Sequence, residues 1–161
     1  MRIAEYNRQA AVEYARQWAF RRNPKYYNFD RIGGDCTNFA SQCVYAGAGV
    51  MNYTPTFGWY YTDINRRSPS WTGVEYFYNF LTGNKNEGPF AEETTLDRLE
   101  TGDIVQLGNA TGDFYHSPVV VAVQGNRIFV AAHTFDAFMR PLLSYNFASA
   151  RGIHILGVRM E

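Results

Sequence analysis

A cysteine attacks carbonyls as a thiolate, and the positive end of a helix together with a nearby imidazole lowers its pKa toward that form. Cys36 follows Gly33-Gly34-Asp35 and opens a helical pattern in which Ala40, Cys43, Val44 and Gly47 make one apolar stripe, predicting a helix from Cys36 to Gly47. Asp35 is a good N-cap, the two glycines permit a tight turn with room for a substrate, and the Cys36 N–H precedes the intrahelical ladder, free to stabilise an oxyanion. The competing reading is a small buried residue that happens to follow a cap. The Gly-Gly-Asp-Cys context favours the nucleophile. Cys43 lies two turns further along that helix and is assigned to the core. At a rise of ~1.5 Å per residue the two cysteines stand ~10 Å apart, past the ~7 Å reach of a disulfide, so both are expected as free thiols.

A thiol needs a base, and the chain holds 3 histidines. His116 opens the apolar run Tyr115 to Val123 just after the turn Gly112-Asp113, which puts it at a rim and makes it the expected base. If Gly125-Asn126 is a two-residue hairpin turn, Gln124 pairs with Arg127 and Pro118 with His133. His116 and His133 are then diagonal neighbours ~7 to 8 Å apart, a possible base and orienter. A turn one residue longer sends them to opposite faces. Asp136 is the fallback orienter, and a loop-bonded strand-end residue is the bland reading of His133. His154 has no polar constellation around it and is read as structural.

These groups need a frame that holds a helix tip against a strand edge. Glu5 to Arg22 carries apolar residues at helical spacing and is closed by Asn23-Pro24, giving a first helix, and a third is expected from Thr72 or Gly73 to Leu81. Gly49 to Ser70 reads as a long aromatic loop, its Tyr53 to Tyr61 stretch expected to line the cleft. From Asp103 onward strand periodicity takes over, at Ile104 to Leu107, Tyr115 to Val123, Arg127 to Ala132 and Ile155 to Met160. Helices first and antiparallel strands after them define an α+β class, read as one domain over residues 1–161.

Apolar residues make up 46% of the chain and charged ones 19%, enough for a packed core. Acidic and basic residues balance at 15 each, so neither nucleic acid nor an anionic membrane surface is indicated as a partner. No run approaches the ~20 apolar residues of a membrane span, and the first residues lack a signal-peptide profile. No set of four ligands suggests structural zinc, and the chemistry needs no cofactor. A monomer is expected.

The stretch from Gly33 to Cys43, Gly-Gly-Asp-Cys-Thr-Asn-Phe-Ala-Ser-Gln-Cys, resembles the putative amidase domain family of bacteria, relatives of the CHAP and NlpC/P60 cysteine peptidases. His116-Ser117-Pro118-Val119-Val120-Val121, Ala132-His133-Thr134-Phe135-Asp136 leading to Arg140-Pro141-Leu142, and the opening helix with Ala15, Trp18 and Asn23-Pro24 agree with it. The resemblance implies a papain-like fold, a cysteine-dependent amidase or peptidase acting on peptide or peptidoglycan-like substrates, and a secreted or cell-wall-associated location. It makes Cys36 the nucleophile, His116 the base and His133 the polar third member. The family's second oxyanion donor precedes the cysteine, with Tyr27, Asn28 and Asp30 competing for the place. In the expected reaction His116 takes the Cys36 proton, a thioacyl intermediate forms, and water releases the acid. The sulfur is expected within ~4 Å of a His116 nitrogen. A peptide- or glycan-binding module on the same scaffold, and an acyltransferase that passes the thioester to an amine, are the alternatives.

Overall fold

The computed structural model describes residues 1–161. Its elements run β1 (Arg2–Ala4), α1 (Arg8–Trp18), α2 (Cys36–Ala48), β2 (Tyr61–Asp63), β3 (Arg66–Arg67), α3 (Pro69–Thr72), α4 (Val74–Gly83), β4 (Gly88–Thr94), β5 (Ile104–Gly108), β6 (Phe114–His116), β7 (Val119–Gln124), β8 (Arg127–Ala132), β9 (Ala137–Pro141) and β10 (Ser149–Met160). Eight strands form one antiparallel sheet in the order β1-β10-β5-β7-β8-β9, with β4 paired to β10 and β6 to β5, while β2 and β3 make a separate hairpin. This is the expected α+β class, though with more strands than periodicity located. β1, β4, β9 and the β2–β3 hairpin lie outside the expected strands; β9 carries positive-φ Met139, and β4 begins Gly-Pro, both weak strand signals. No helix is long and apolar enough to cross a membrane.

α1 starts three residues later than its apolar pattern, because the Asn7 side chain caps it by accepting from the Ala10 N–H at 3.0 Å. α2 is nearly all buried: every residue from Cys36 to Val44 lies inside. It packs closely against the entry to α1 at Gly47, where a Cβ would fall 2.5 Å from the Tyr6 ring and 2.7 Å from the Asn7 carbonyl. No other side chain fits there. Aromatic rings fill the space under α2, with Trp59 and Trp71 at 4.7 Å between centroids and both fully buried. Ser41 on α2 fixes both: its hydroxyl accepts from the Trp59 indole and donates to the Trp71 carbonyl. The expected surface loop from Gly49 to Ser70 is thus partly core, since burial of Met51, Trp59 and Tyr61 offsets its irregular backbone.

The tip of α2 is seated by charge. Asp35 stands at the N-cap position of α2, as expected, but its side chain makes no capping bond. Its fully buried carboxylate instead accepts from the Phe29 N–H at 2.8 Å and the Asn38 amide at 2.9 Å, and it pairs with His133 Nδ1 at 2.5 Å. His133 Nε2 donates to the Trp18 carbonyl at the end of α1, 2.8 Å away. With a partner at each nitrogen and Phe39 stacked on its face at 4.0 Å, the His133 ring is fixed in orientation. Burial alone would raise the Asp35 pKa; His133, Asn38 and the Phe29 amide hold it below the ordinary carboxylate value.

Removing one partner of a buried pair strands the other, so His133→Ala is expected to lower unfolding free energy by about 3 kcal/mol. The Asp35→Ala, His133→Ala double variant is expected to lose clearly less than the sum of the single losses in urea unfolding. Additive losses would show that the pair is not coupled.

Candidate active site

The turn that presents α2 needs residues without a Cβ. Gly33 and Gly34 sit at φ +81° and +96°, and a side chain at Gly34 would also lie 3.5 Å from the Thr134 hydroxyl. Cys36 is the first residue of α2, and the helical ladder begins with the Phe39 N–H on the Asp35 carbonyl. The Cys36 N–H therefore precedes that ladder, as the sequence predicts.

His116 ends β6, where it pairs with Leu107 of β5. Its neighbour Ser117 and Cys36's neighbour Thr37 bring the two segments together, their hydroxyls 3.3 Å apart and buried. Ser117 is itself held by the Gln106 amide at 3.1 Å, which also donates to the Val74 carbonyl at the start of α4. The Cys36 thiol faces the Tyr115 carbonyl at 3.9 Å. Residues eighty positions apart are thus coupled through the residues beside them. Cys36 and His116 line one cleft of about 460 Å³, and each keeps 8% of its surface exposed, enough for a ligand in the cleft to reach them.

The electrostatics describe a neutral resting pair. Burial raises the Cys36 thiol pKa above its ordinary value, only partly opposed by Thr37 and the Ser117 backbone. Burial, and then the charge of Arg140, push His116 down to about 4. At neutral pH the imidazole is free to accept a proton. Cys43 is fully buried, with its pKa raised further by burial, and belongs to the core.

Several expectations are corrected here. His133 does not bond to His116; both of its nitrogens are taken by Asp35 and Trp18. The hairpin turn is as predicted, with Gln124 opposite Arg127, but a bulge between Val120 and Ala122 shifts the register so that Val119 pairs with Ala131. The expected Pro118–His133 pairing is thereby lost, and His116 lies on a separate strand, beside β5 rather than β8. Asp136 is no orienter either, because it binds Arg22 at 2.9 Å. That same Arg22 holds Asp30 at 3.1 Å. Of the oxyanion candidates, Tyr27 gives its N–H to Tyr61 and its carbonyl to Asn38, and Asn28 accepts from the Asp30 N–H. None of Tyr27, Asn28 and Asp30 lines the cleft. The Tyr53 to Tyr61 stretch is absent from it as well; Phe57 lines a different cavity of about 580 Å³ with Asn52 and Tyr76. His154 is structural as expected, bonding Asp103 at 2.7 Å. No group of three or more His, Cys, Asp or Glu is arranged to hold a metal.

Several cleft walls come from residues to which the sequence assigns no role in the site. Tyr145 lies 5.5 Å from His116 between ring centroids, and Arg140 sits 3.6 Å above the Tyr145 ring. Thr134 and Phe135 both adopt positive φ, with Phe135 85% exposed at the rim. In the sequence they stand out only as part of the His133 stretch that carries the family resemblance.

This is an α+β domain that offers a helix-tip thiol and a strand-end imidazole to one cleft. The chain belongs to the putative amidase domain family, whose match covers residues 5–156. It is 34% identical over 143 residues to "Uncharacterized protein YhbB" of Bacillus subtilis (strain 168), across 86% of this chain and 45% of that protein. The chain therefore spans about half the length of that curated relative. No solved structure matches it.

The lowered His116 pKa fixes the sign of a pH effect. Between about 4 and the ordinary value of 6.5 the unfolded chain binds a proton that the folded one refuses, so this contribution to stability is present above 6.5 and lost as pH falls toward 4. His116→Gln is expected to flatten the slope of unfolding free energy against pH in that window. An unchanged slope would contradict the burial of a neutral ring.

Proposed function

We propose that this domain is a cysteine-dependent amide hydrolase with a papain-like arrangement related to the CHAP and NlpC/P60 peptidases, acting on peptides such as those of the bacterial cell wall. The observation that carries the reading is the shared cleft of Cys36 and His116, secured by the Thr37–Ser117 hydroxyl pair. The family to which the chain belongs adds that the bond is an amide.

Because the resting pair is neutral, His116 acts as a general base at the moment of attack rather than as a standing imidazolium. It takes the proton from Cys36 as sulfur bonds to the carbonyl carbon, and the oxyanion falls within reach of the Cys36 N–H. Collapse of this adduct breaks the C–N bond, and His116 returns the proton to the leaving amine. Water, deprotonated by the same ring, then attacks the thioester and frees Cys36. Proton and electron counts close with water as the sole co-reactant. His133 acts at one remove in this scheme: it is a positioning residue that holds Asp35, and through it the turn that presents Cys36.

Cys36→Ala and His116→Gln are each expected to lower kcat/KM on cell-wall peptides by about 10³-fold or more, while Cys43→Ala stays within a few-fold of the parent. Chromatographic assay of the released amine reads this directly. Full activity in Cys36→Ala would reject the mechanism.

A further inference from the structure

Resting on the hydrolase reading, we propose that Arg140 is the specificity-determining residue of the cleft, selecting amides that carry a free carboxylate close to the scissile bond. Of the residues that line the cleft, Arg140 is the only one that carries a formal charge at neutral pH, and no Asp or Glu faces it there. Other arginines around the site are spent on carboxylates: Arg22 on Asp30 and Asp136, and Arg151 on Glu75. Arg140 has no such partner. Its Nε donates to the Ser144 hydroxyl at 2.8 Å and its Nη2 to the Ser144 carbonyl at 3.2 Å, both neutral acceptors.

The guanidinium is also prepared for a ligand. Stacking on Tyr145 at 3.6 Å and the two bonds to Ser144 fix its plane, so little side-chain entropy remains to be lost. Nη1 makes no bond within the protein, and a planar fork with free N–H groups suits the two oxygens of a carboxylate. Beside it, the Tyr145 hydroxyl is the one buried side-chain polar atom in the structure without a hydrogen-bond partner. Such a group costs free energy unless something meets it. The Tyr145 ring also touches His116, which places the cation next to the proposed base.

The location has a consequence for the chemistry. Arg140 is the second cause, after burial, of the low His116 pKa. A carboxylate on Arg140 neutralises that charge and makes His116 a stronger base, so the substrate that fits also improves the base that processes it.

Iodoacetate and iodoacetamide test this without a known substrate. In each, the Cys36 sulfur displaces iodide and a C–S bond replaces C–I; the two reagents differ in carrying a carboxylate or a neutral amide. The quantity read is the ratio of second-order rates of Cys36 alkylation, iodoacetate over iodoacetamide, by peptide mass spectrometry at one pH and ionic strength. Arg140→Gln is expected to lower that ratio about tenfold, and Arg140→Lys to retain most of it. A ratio unchanged in Arg140→Gln, with Cys36 still labelled by both reagents, overturns the role of Arg140 and leaves the nucleophile intact. Failure of both reagents to label Cys36 in the parent removes the hydrolase reading and this one with it. Urea unfolding of each variant separates loss of fold from loss of selectivity.

Discussion

The site rests on a buried carboxylate. Asp35 gathers the Phe29 amide, the Asn38 side chain and the His133 ring at the point where a two-glycine turn enters α2, and the next residue is Cys36. An isolated ionised carboxylate in that position would be prohibitively costly, so its partners are required for the turn to exist at all. Each residue of the Asp-Cys-Thr-Asn-Phe run then has its own task. Asp35 anchors, Cys36 faces the cleft, and Thr37 reaches Ser117. Asn38 donates to Asp35 and to the Tyr27 carbonyl and accepts from the Trp71 indole, while Phe39 stacks on His133. One helical turn therefore organises charge, strand contact and core together.

Two histidines divide the work by their surroundings. His133 is sealed between Asp35 and the end of α1, where partners at both nitrogens hold it in place. His116 sits against Tyr145, whose ring carries Arg140, and burial keeps it neutral. A group that must exchange a proton needs the second environment, and a group that must only hold a helix tip is served by the first. The proposed roles of base for His116 and anchor for His133 rest on this contrast rather than on sequence order.

The sequence carried the helix-tip thiol well, because glycine pair, acid and cysteine are contiguous and their meaning is local. α2 and the strands Ile104–Gly108 and Arg127–Ala132 were legible for the same reason, from periodicity alone. His116 was placed on a strand, but its route to Cys36 ran through Thr37 and Ser117, a contact between segments that no spacing reveals. The expected His116–His133 pairing fails on two features that spacing hides: a bulge in β7 that shifts its register with β8, and a strand break that puts His116 on β6 beside β5. Arg140 and Tyr145 belong to β9 and the turn after it, where a positive-φ Met139 and a proline obscure the strand pattern. Asp35 holds the N-cap position that local sequence predicts, but its side chain turns to His133, 98 positions away, a partner that no local pattern reveals.

The central claim, that the Cys36 sulfur takes an acyl group with His116 as its base, is tested most directly by trapping that intermediate. An activated ester such as p-nitrophenyl acetate, rapidly quenched in acid and read by intact-protein and peptide mass spectrometry, is expected to leave one acetyl group on the peptide bearing Cys36. The same trial in His116→Gln is expected to leave far less. Acetylation elsewhere, or equal acetylation of Cys36 without His116, would contradict the account.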